Sequence, residues 1–180
     1  NDILHRCLSG QGYHKDKVHP SISPSMDIQV SSNFERALFD AYDRDGNAVA
    51  QLMAELGQGG FDVSQGAAQV LSGHYASGRA SEEETSQTIA DTLKASAELL
   101  CPHSAIGVKV ANEMRDPATP MITIATAHPA KFPDAVEAAT GIRPPLPPRM
   151  ADLYDRPERV TRVANDLEVL KTQIKGLIAQ

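Results

Sequence analysis

At 180 residues the chain is long enough for one domain with a real core, since a chain of this size buries roughly 70% of its unfolded surface. Its net charge of −6 and the scatter of its seventeen lysines and arginines exclude the basic face that nucleic acid or an anionic membrane requires. No apolar run approaches the ~18 residues of a membrane span, and the amino terminus lacks the basic-then-apolar grammar of a signal peptide, so the expected place is the cytoplasm.

Cys7 and Cys101, far apart in sequence, make no disulfide framework and are expected to be reduced. With no tryptophan and few other aromatics, the core must rest on Ile, Leu, Val, Ala and Met. The chain opens at Asn1 rather than at a methionine, which reads as a processed product or a piece of a longer polypeptide.

Asn1 and Asp2 stand as capping residues ahead of Ile3, Leu4 and Leu8, a short helix that Ser9-Gly10 closes. Residues 11–25 turn polar and read as a surface loop. His14 and His19 lie in it without a third ligand, so no metal site is assigned. Ser31 or Ser32 reads as the cap of a helix with Phe34, Leu38 and Tyr42 on one face, and Glu35 follows Ser32 at capping-box spacing. The same helix start, Ser31-Ser32-Asn33, also offers free N–H groups to an anion.

Asp45 to Leu56 is a helix with Val49, Leu52, Met53 and Leu56 as its buried face, and Ser64 to Leu71 is a weaker one. The Gly/Ser-rich stretch Ser72–Ala80 reads as a connector, because it lacks the Lys-Ser/Thr ending of a nucleotide loop. Ser81-Glu-Glu-Glu84 is a capping box opening a helix with Ile89, Leu93 and Ala97 in its stripe. Cys101-Pro-His-Ser104 then starts a helix that runs from Ala105 to Met114.

The most informative stretch runs from Pro120 to Gly141. Met121 to Ala125 is a short apolar run rich in β-branched residues, read as a strand buried on both faces. Thr126, His128 and Lys131 crowd in where it ends, and Phe132 to Thr140 reads as a helix closed by Gly141. Ligands in open α/β sheets sit beyond the carboxyl ends of strands, which makes this hydroxyl, imidazole and ammonium a candidate site. Arg143–Pro148 follows as a stiff polyproline connector too short to separate two cores, and Asp155 to Gln180 as one long amphipathic helix that docks through Val160, Val163, Leu167, Leu170, Ile174 and Leu177. One strand cannot make a sheet, so the chain reads as the completing part of a larger α/β domain.

Four motifs in register carry a resemblance: Ser23-Pro-Ser-Met-Asp-Ile-Gln-Val-Ser-Ser-Asn-Phe-Glu-Arg36, Ser72-Gly-His-Tyr75, Pro102-His-Ser-Ala-Ile-Gly107 and Thr126-Ala-His-Pro-Ala-Lys-Phe132. Together they resemble the carboxyl-terminal portion of the threonine synthase family, over nearly the whole chain. The resemblance implies an α/β fold of the tryptophan-synthase-β-like type (fold type II, three-layer α/β/α), of which residues 1–180 are a helix-rich carboxyl-terminal portion and not a complete enzyme.

It also implies a pyridoxal 5′-phosphate cofactor and conversion of O-phospho-L-homoserine and water to L-threonine and phosphate. The Schiff-base lysine and the loop gripping the cofactor phosphate then belong to an amino-terminal half upstream of Asn1, so no catalytic residue is expected in this chain. Thr126 is placed against the pyridine nitrogen, with Ser31, Ser32, Asn33, His128 and Lys131 as substrate-proximal candidates. Two rivals stay open: a non-catalytic helix-rich interaction or ligand-binding module, and a hydrolase built on Cys101 and His103.

Overall fold

The computed structural model describes residues 1–179, in which helices carry nearly all the regular structure. The chain divides into two compact units within the Arg143–Pro148 connector, the first ending at Pro145 and the second beginning at Leu146.

In the first unit, α1 (Ile3–Arg6) buries Ile3 and continues into a wider turn, Cys7–Gln11, that Gly10 breaks at φ +81°. Asp2 does not cap this helix. Its carboxylate accepts instead from Arg6 Nε at 3.1 Å and Arg79 Nη1 at 2.7 Å, because two guanidinium donors outcompete a helix N–H for one charged acceptor.

The segment read as loop contains β1 (Tyr13–His14), paired antiparallel with β2 (Gly60–Phe61). Two residues are too few to show a strand period, so aromatic stacking is what locates the pair: the Tyr13 ring lies 5.1 Å from that of Phe61 and 5.6 Å from that of Phe34. Gly60 is obligatory there, since a Cβ would sit 2.5 Å from His14 Cα.

Around this stack pack α2 (Phe34–Ala41), α3 (Gly46–Gly57) and α4 (Gln65–His74), contributing Phe34, Leu38, Leu52, Leu56, Ala67 and Leu71 to the first core. Asp45 caps α3 by accepting from Asn47 N at 2.8 Å, and Ser64 caps α4. Cys7 is buried in the same core, which pushes its thiol up to about 11 and keeps it protonated at neutral pH.

A second core joins α5 (Glu82–Ser96), α6 (Pro102–Met114) and α7 (Pro133–Thr140) through Ile89, Ala105 and Val136, each wholly buried. The capping box of α5 is complete, with Glu84 N donating to Ser81 Oγ and Ser81 N donating to Glu84 Oε2. Ala97 leaves the expected buried stripe: it is exposed and ends α5 in the left-handed conformation at φ +60°. Gly141 ends α7 in the same conformation, where glycine carries no steric cost.

Met121–Ala125 corrects the sequence reading. It pairs with no strand, and Ile122 and Ile124 are 81% and 70% exposed. The composition is that of a buried strand, but β1 and β2 form the only ladder among the described residues, so its backbone lacks strand partners and the face of Ile122 and Ile124 is open, while Thr123 lies against Gly107.

In the second unit the long helix is also shorter than read: α8 spans Leu167–Ile178 and starts at Asp166, whose carboxylate accepts from Glu168 N and Val169 N. Pro157 and the β-branched Val160, Thr161 and Val163 disfavour helix before that cap, and residues 156–165 are not helical. The stripe expected to be docked, Leu167, Leu170, Ile174 and Leu177, is exposed, as are Val160 and Val163. Gln180, the last residue of the expected helix, lies outside the described residues. No residue described from 146 on is buried, so the connector separates no second core.

The unpaired, apolar 121–125 segment should make the isolated 180-residue chain self-associate. Sedimentation velocity should show polydisperse species, and the double substitution Ile122→Lys, Ile124→Lys should shift them towards monomer. A monodisperse wild-type chain with cooperative unfolding would contradict this.

Candidate active site

Three of the four sequence motifs meet in space, and α6 brings them together. Its start is built by Cys101, whose buried side chain accepts from Ser104 N at 3.4 Å as a helix cap, followed by Pro102 at the first helical position, where no N–H is needed. That geometry turns the first two polar side chains of α6 in different directions.

Ser104, 3% exposed, faces the end of the 121–125 segment: its Oγ accepts from Thr126 N at 3.1 Å and stands 3.5 Å from Thr126 Oγ1 and 3.2 Å from Cys101 Sγ. His103 faces residues 23–26 and the Phe132 ring. Its Nε2 accepts from Ser25 N at 3.0 Å, and the two ring centroids are 4.5 Å apart.

Since His103 Nε2 is an acceptor, the neutral ring carries its proton on Nδ1, a buried atom with no hydrogen-bond partner among the described residues. Burial and the positive charge of Lys131 hold this imidazole below its ordinary range, against a smaller opposite pull from Asp27. Protonating it would break the Ser25 bond as well.

Thr126 is exposed, so its backbone is pinned from behind by Ser104 while its side chain remains accessible. His128 shapes the turn that follows: its Nδ1 accepts from Ala130 N at 3.2 Å and so caps the short 3-10 turn Pro129–Lys131. Lys131 is exposed, with Nζ 6.0 Å from the Phe132 ring centroid, the position of an ammonium kept in water along an aromatic ring.

Ser31, Ser32 and Asn33 make no hydrogen bond to Thr126, His128 or Lys131 among the described residues. The expected side-chain cap and the Ser32–Glu35 capping box are absent too. Ser31 N donates to the Tyr13 phenol at 2.7 Å, and Asn33 Oδ1 accepts from Arg36, so α2 is entered through backbone turns, Phe34 N to Ser31 O and Glu35 N to Ser32 O. The Tyr13 ring, fixed by its stack, decides this by placing its hydroxyl on Ser31.

Ser31 lines a cavity of about 890 Å³ that Thr126, His128 and Lys131 do not line. Three of its cations are already paired: Arg6 and Arg79 with Asp2, and Lys109 with Glu84 at 3.4 Å. Burial raises the Asp2 carboxyl, but the bonds from Arg79 and Arg6 outweigh it and hold the group below its ordinary range.

The fourth motif stands apart, with Tyr75 exposed at its end. In the Gly/Ser-rich connector after it, a Cβ at Gly78 would lie 2.8 Å from Val110 Cγ1, so that glycine serves close packing on α6 rather than a phosphate. The Cys101–His103 hydrolase reading finds no geometry: the thiol is buried against Ser104 and the imidazole is bonded to Ser25.

The family described as threonine synthase, C-terminal, matches residues 104–174, a span that includes Ser104, Thr126, His128 and Lys131. Threonine synthase of Pseudomonas aeruginosa is 51% identical over 170 residues, covering 93% of this chain and 36% of that protein. That of Corynebacterium glutamicum is 39% identical over 99% of this chain and 39% of its own length. The crystal structure of a PLP-bound threonine synthase from Brucella melitensis superposes with a TM-score of 0.89 at 46% identity, over 97% of this chain and 38% of that one.

The chain belongs to the threonine synthase family. Its fold is that of the carboxyl-terminal part of these enzymes, shared also with the yeast threonine synthase at a TM-score of 0.84 and 32% identity. The chain spans well under half the length of the threonine synthases it matches. Ser104 is the residue the sequence reading passed over. It was visible only as the third residue after a helix cap, and nothing in its motif told of a bond to a backbone 22 residues away.

Because the His103 value is depressed on folding, the unfolded chain takes up the proton first. The stability it contributes is complete above about pH 6.5 and is lost as the pH falls from there through the depressed value. Replacing His103 with Gln, which can still accept from Ser25 N, should flatten the acid-side fall in denaturation temperature of the full-length enzyme. An unchanged pH profile would show that His103 does not titrate in this way.

Proposed function

We propose that this chain is the carboxyl-terminal portion of the catalytic domain of a pyridoxal-phosphate-dependent threonine synthase of fold type II, incomplete as an enzyme by itself. The full-length protein converts O-phospho-L-homoserine and water to L-threonine and phosphate. The observation that carries this reading is the presentation of Thr126: an accessible hydroxyl on a backbone held from behind by Ser104, within the Thr126–Phe132 motif. The structural likeness to a PLP-bound threonine synthase supports it.

The residues present suit part of the cofactor only. Thr126 offers a neutral hydroxyl suited to a ring nitrogen, whereas the glycine that would line a phosphate loop, Gly78, is packed on Val110. Bound pyridoxal phosphate supplies the electron sink that an amino-acid substrate needs when its carbon–hydrogen bonds break. Thr126 would orient the ring without imposing the protonation of its nitrogen that a carboxylate would impose. His128 holds the turn after it, and Phe132 with His103 closes the side facing Ser25.

Lys131 adds positive potential near the place of the substrate phosphate and is not the cofactor's lysine, which we assign to the amino-terminal part. Ser31, Ser32 and Asn33 remain substrate-proximal candidates only if the full-length protein closes over the cavity that Ser31 lines. None of the described helices is long and apolar enough to cross a membrane, and we place the enzyme in the cytoplasm.

Thr126→Val should lower turnover of the full-length enzyme about 5- to 150-fold, the range for losing one hydrogen bond worth roughly 1–3 kcal/mol. Denaturation temperature should hardly move, because the side chain is exposed within this chain. Phosphate release from O-phospho-L-homoserine is the measurement, and unchanged turnover in the folded variant would remove Thr126 from the site. Reduction of the holoenzyme with borohydride, followed by peptide mapping, should label a lysine outside residues 1–180. A pyridoxyl group on Lys131 would overturn the lysine assignment.

A further inference from the structure

The hydroxyl of Ser104 is the most constrained polar atom at the site. It is buried, it accepts from Thr126 N at 3.1 Å, and it touches Cys101 Sγ at 3.2 Å and Thr126 Oγ1 at 3.5 Å. A serine hydroxyl has one proton and two lone pairs, so these contacts restrict one another.

If Ser104 donates to Cys101 Sγ, one lone pair holds Thr126 N–H and the Thr126 hydroxyl is the longest and weakest of the three contacts. If the thiol donates to Ser104 instead, both lone pairs are taken, and Ser104 has only its own proton to offer Thr126 Oγ1. In the first arrangement the remaining lone pair of Ser104 can take the Thr126 proton; in the second no lone pair is left, and the proton of Thr126 points away from α6, into the accessible side where its side chain lies.

We infer that Ser104 is a positioning residue for the threonine synthase reaction: with the buried Cys101 thiol donating to it, the Ser104 hydroxyl donates in turn to Thr126 Oγ1 and fixes Thr126 as an outward hydrogen-bond donor to the cofactor ring. The inference rests on the reading of Thr126 as the ring-nitrogen partner. It adds the residue that makes an exposed threonine behave as a preorganised donor. The 121–125 segment before Thr126 has no ladder to hold it among the described residues; Thr123 lies against Gly107 of α6, and the Ser104 bond ties the end of the segment to the same helix.

The test is a double-mutant cycle on the full-length holoenzyme, read by the dissociation constant of pyridoxal phosphate and by the visible absorption band of the bound cofactor. Ser104→Ala should weaken cofactor binding roughly 3- to 10-fold, the range of one neutral hydrogen bond, and shift the band in the same direction as Thr126→Val. In the Thr126→Val background, Ser104→Ala should add little further, because there is no hydroxyl left to position.

Additive effects of the two substitutions would make Ser104 merely structural and overturn the inference. Wild-type affinity and absorption in Ser104→Ala, alongside a changed Thr126→Val, would overturn it too while leaving the function proposal standing. Wild-type values in Thr126→Val would remove the reading beneath both. Should Ser104→Ala not fold, Ser104→Cys keeps the size with a much poorer acceptor for Thr126 N–H, and wild-type values or additivity there count against the inference equally.

Discussion

Ala105 has no exposed surface, and it occupies the point where α5, α6 and α7 meet through Ile89 and Val136. Its single methyl lets neighbouring helices approach α6 closely, as interiors packed to crystal-like density require. Everything chemical at the site is placed by that contact. Cys101, His103 and Ser104 all lie within four residues of Ala105 on the first turn of α6, so fixing the helix fixes where each of them faces. A larger residue at 105 would push α6 off its neighbours and move the Ser104 hydroxyl away from Thr126 N.

Polar groups complete what the small apolar core begins. The Ser81–Glu84 capping box starts α5, and Lys109 reaches from α6 to Glu84 and to the carbonyl of Arg79 at 2.8 Å. Arg79 in turn holds Asp2, which also binds Arg6, so the amino-terminal turn of the chain is linked to the start of α5. The exposed members of this chain contribute little individually, as surface ion pairs do, but they give the loop 75–80 a defined course over α6 that Gly78 makes sterically feasible. The bonds from Ser25 N to His103 and from Thr126 N to Ser104 differ in kind, because each satisfies a backbone N–H with a side-chain acceptor, in the second case a buried hydroxyl.

Membership of the threonine synthase family and the exposed strand-like segment bear on one another. Met121–Ala125 has the composition of a central strand and the exposure of a loop, a conflict between local sequence and local surroundings. The matched relatives are more than twice as long as this chain, and completion of a sheet by the remainder of such a protein would resolve the conflict. The same reasoning suits α8, whose apolar stripe is exposed although its spacing is that of a helix that packs.

The caps at Ser81 and Gly141 were legible in the sequence because each acts within four residues, and the helices after Asp45 and Ser64 stand where the spacing placed them, whereas the caps read at Asp2 and at Ser31 or Ser32 gave way to distant partners. The candidate Thr126-x-His128 turn was legible for the same reason, and family resemblance assigned it a role that no pattern could. What lay beyond the sequence depends on distant partners. Tyr13 taking Ser31 N–H in place of a side-chain cap, the two-residue β1–β2 ladder, and the loss of helix before Asp166 follow from competition among groups far apart in the chain or from propensities too weak to decide alone. Ser104 is the clearest instance. Its identity as a small polar residue after a helix cap is written locally, but its bond to Thr126 exists only because Ala105, Ile89 and Val136 bury together and carry the first turn of α6 to the end of an otherwise unpaired segment.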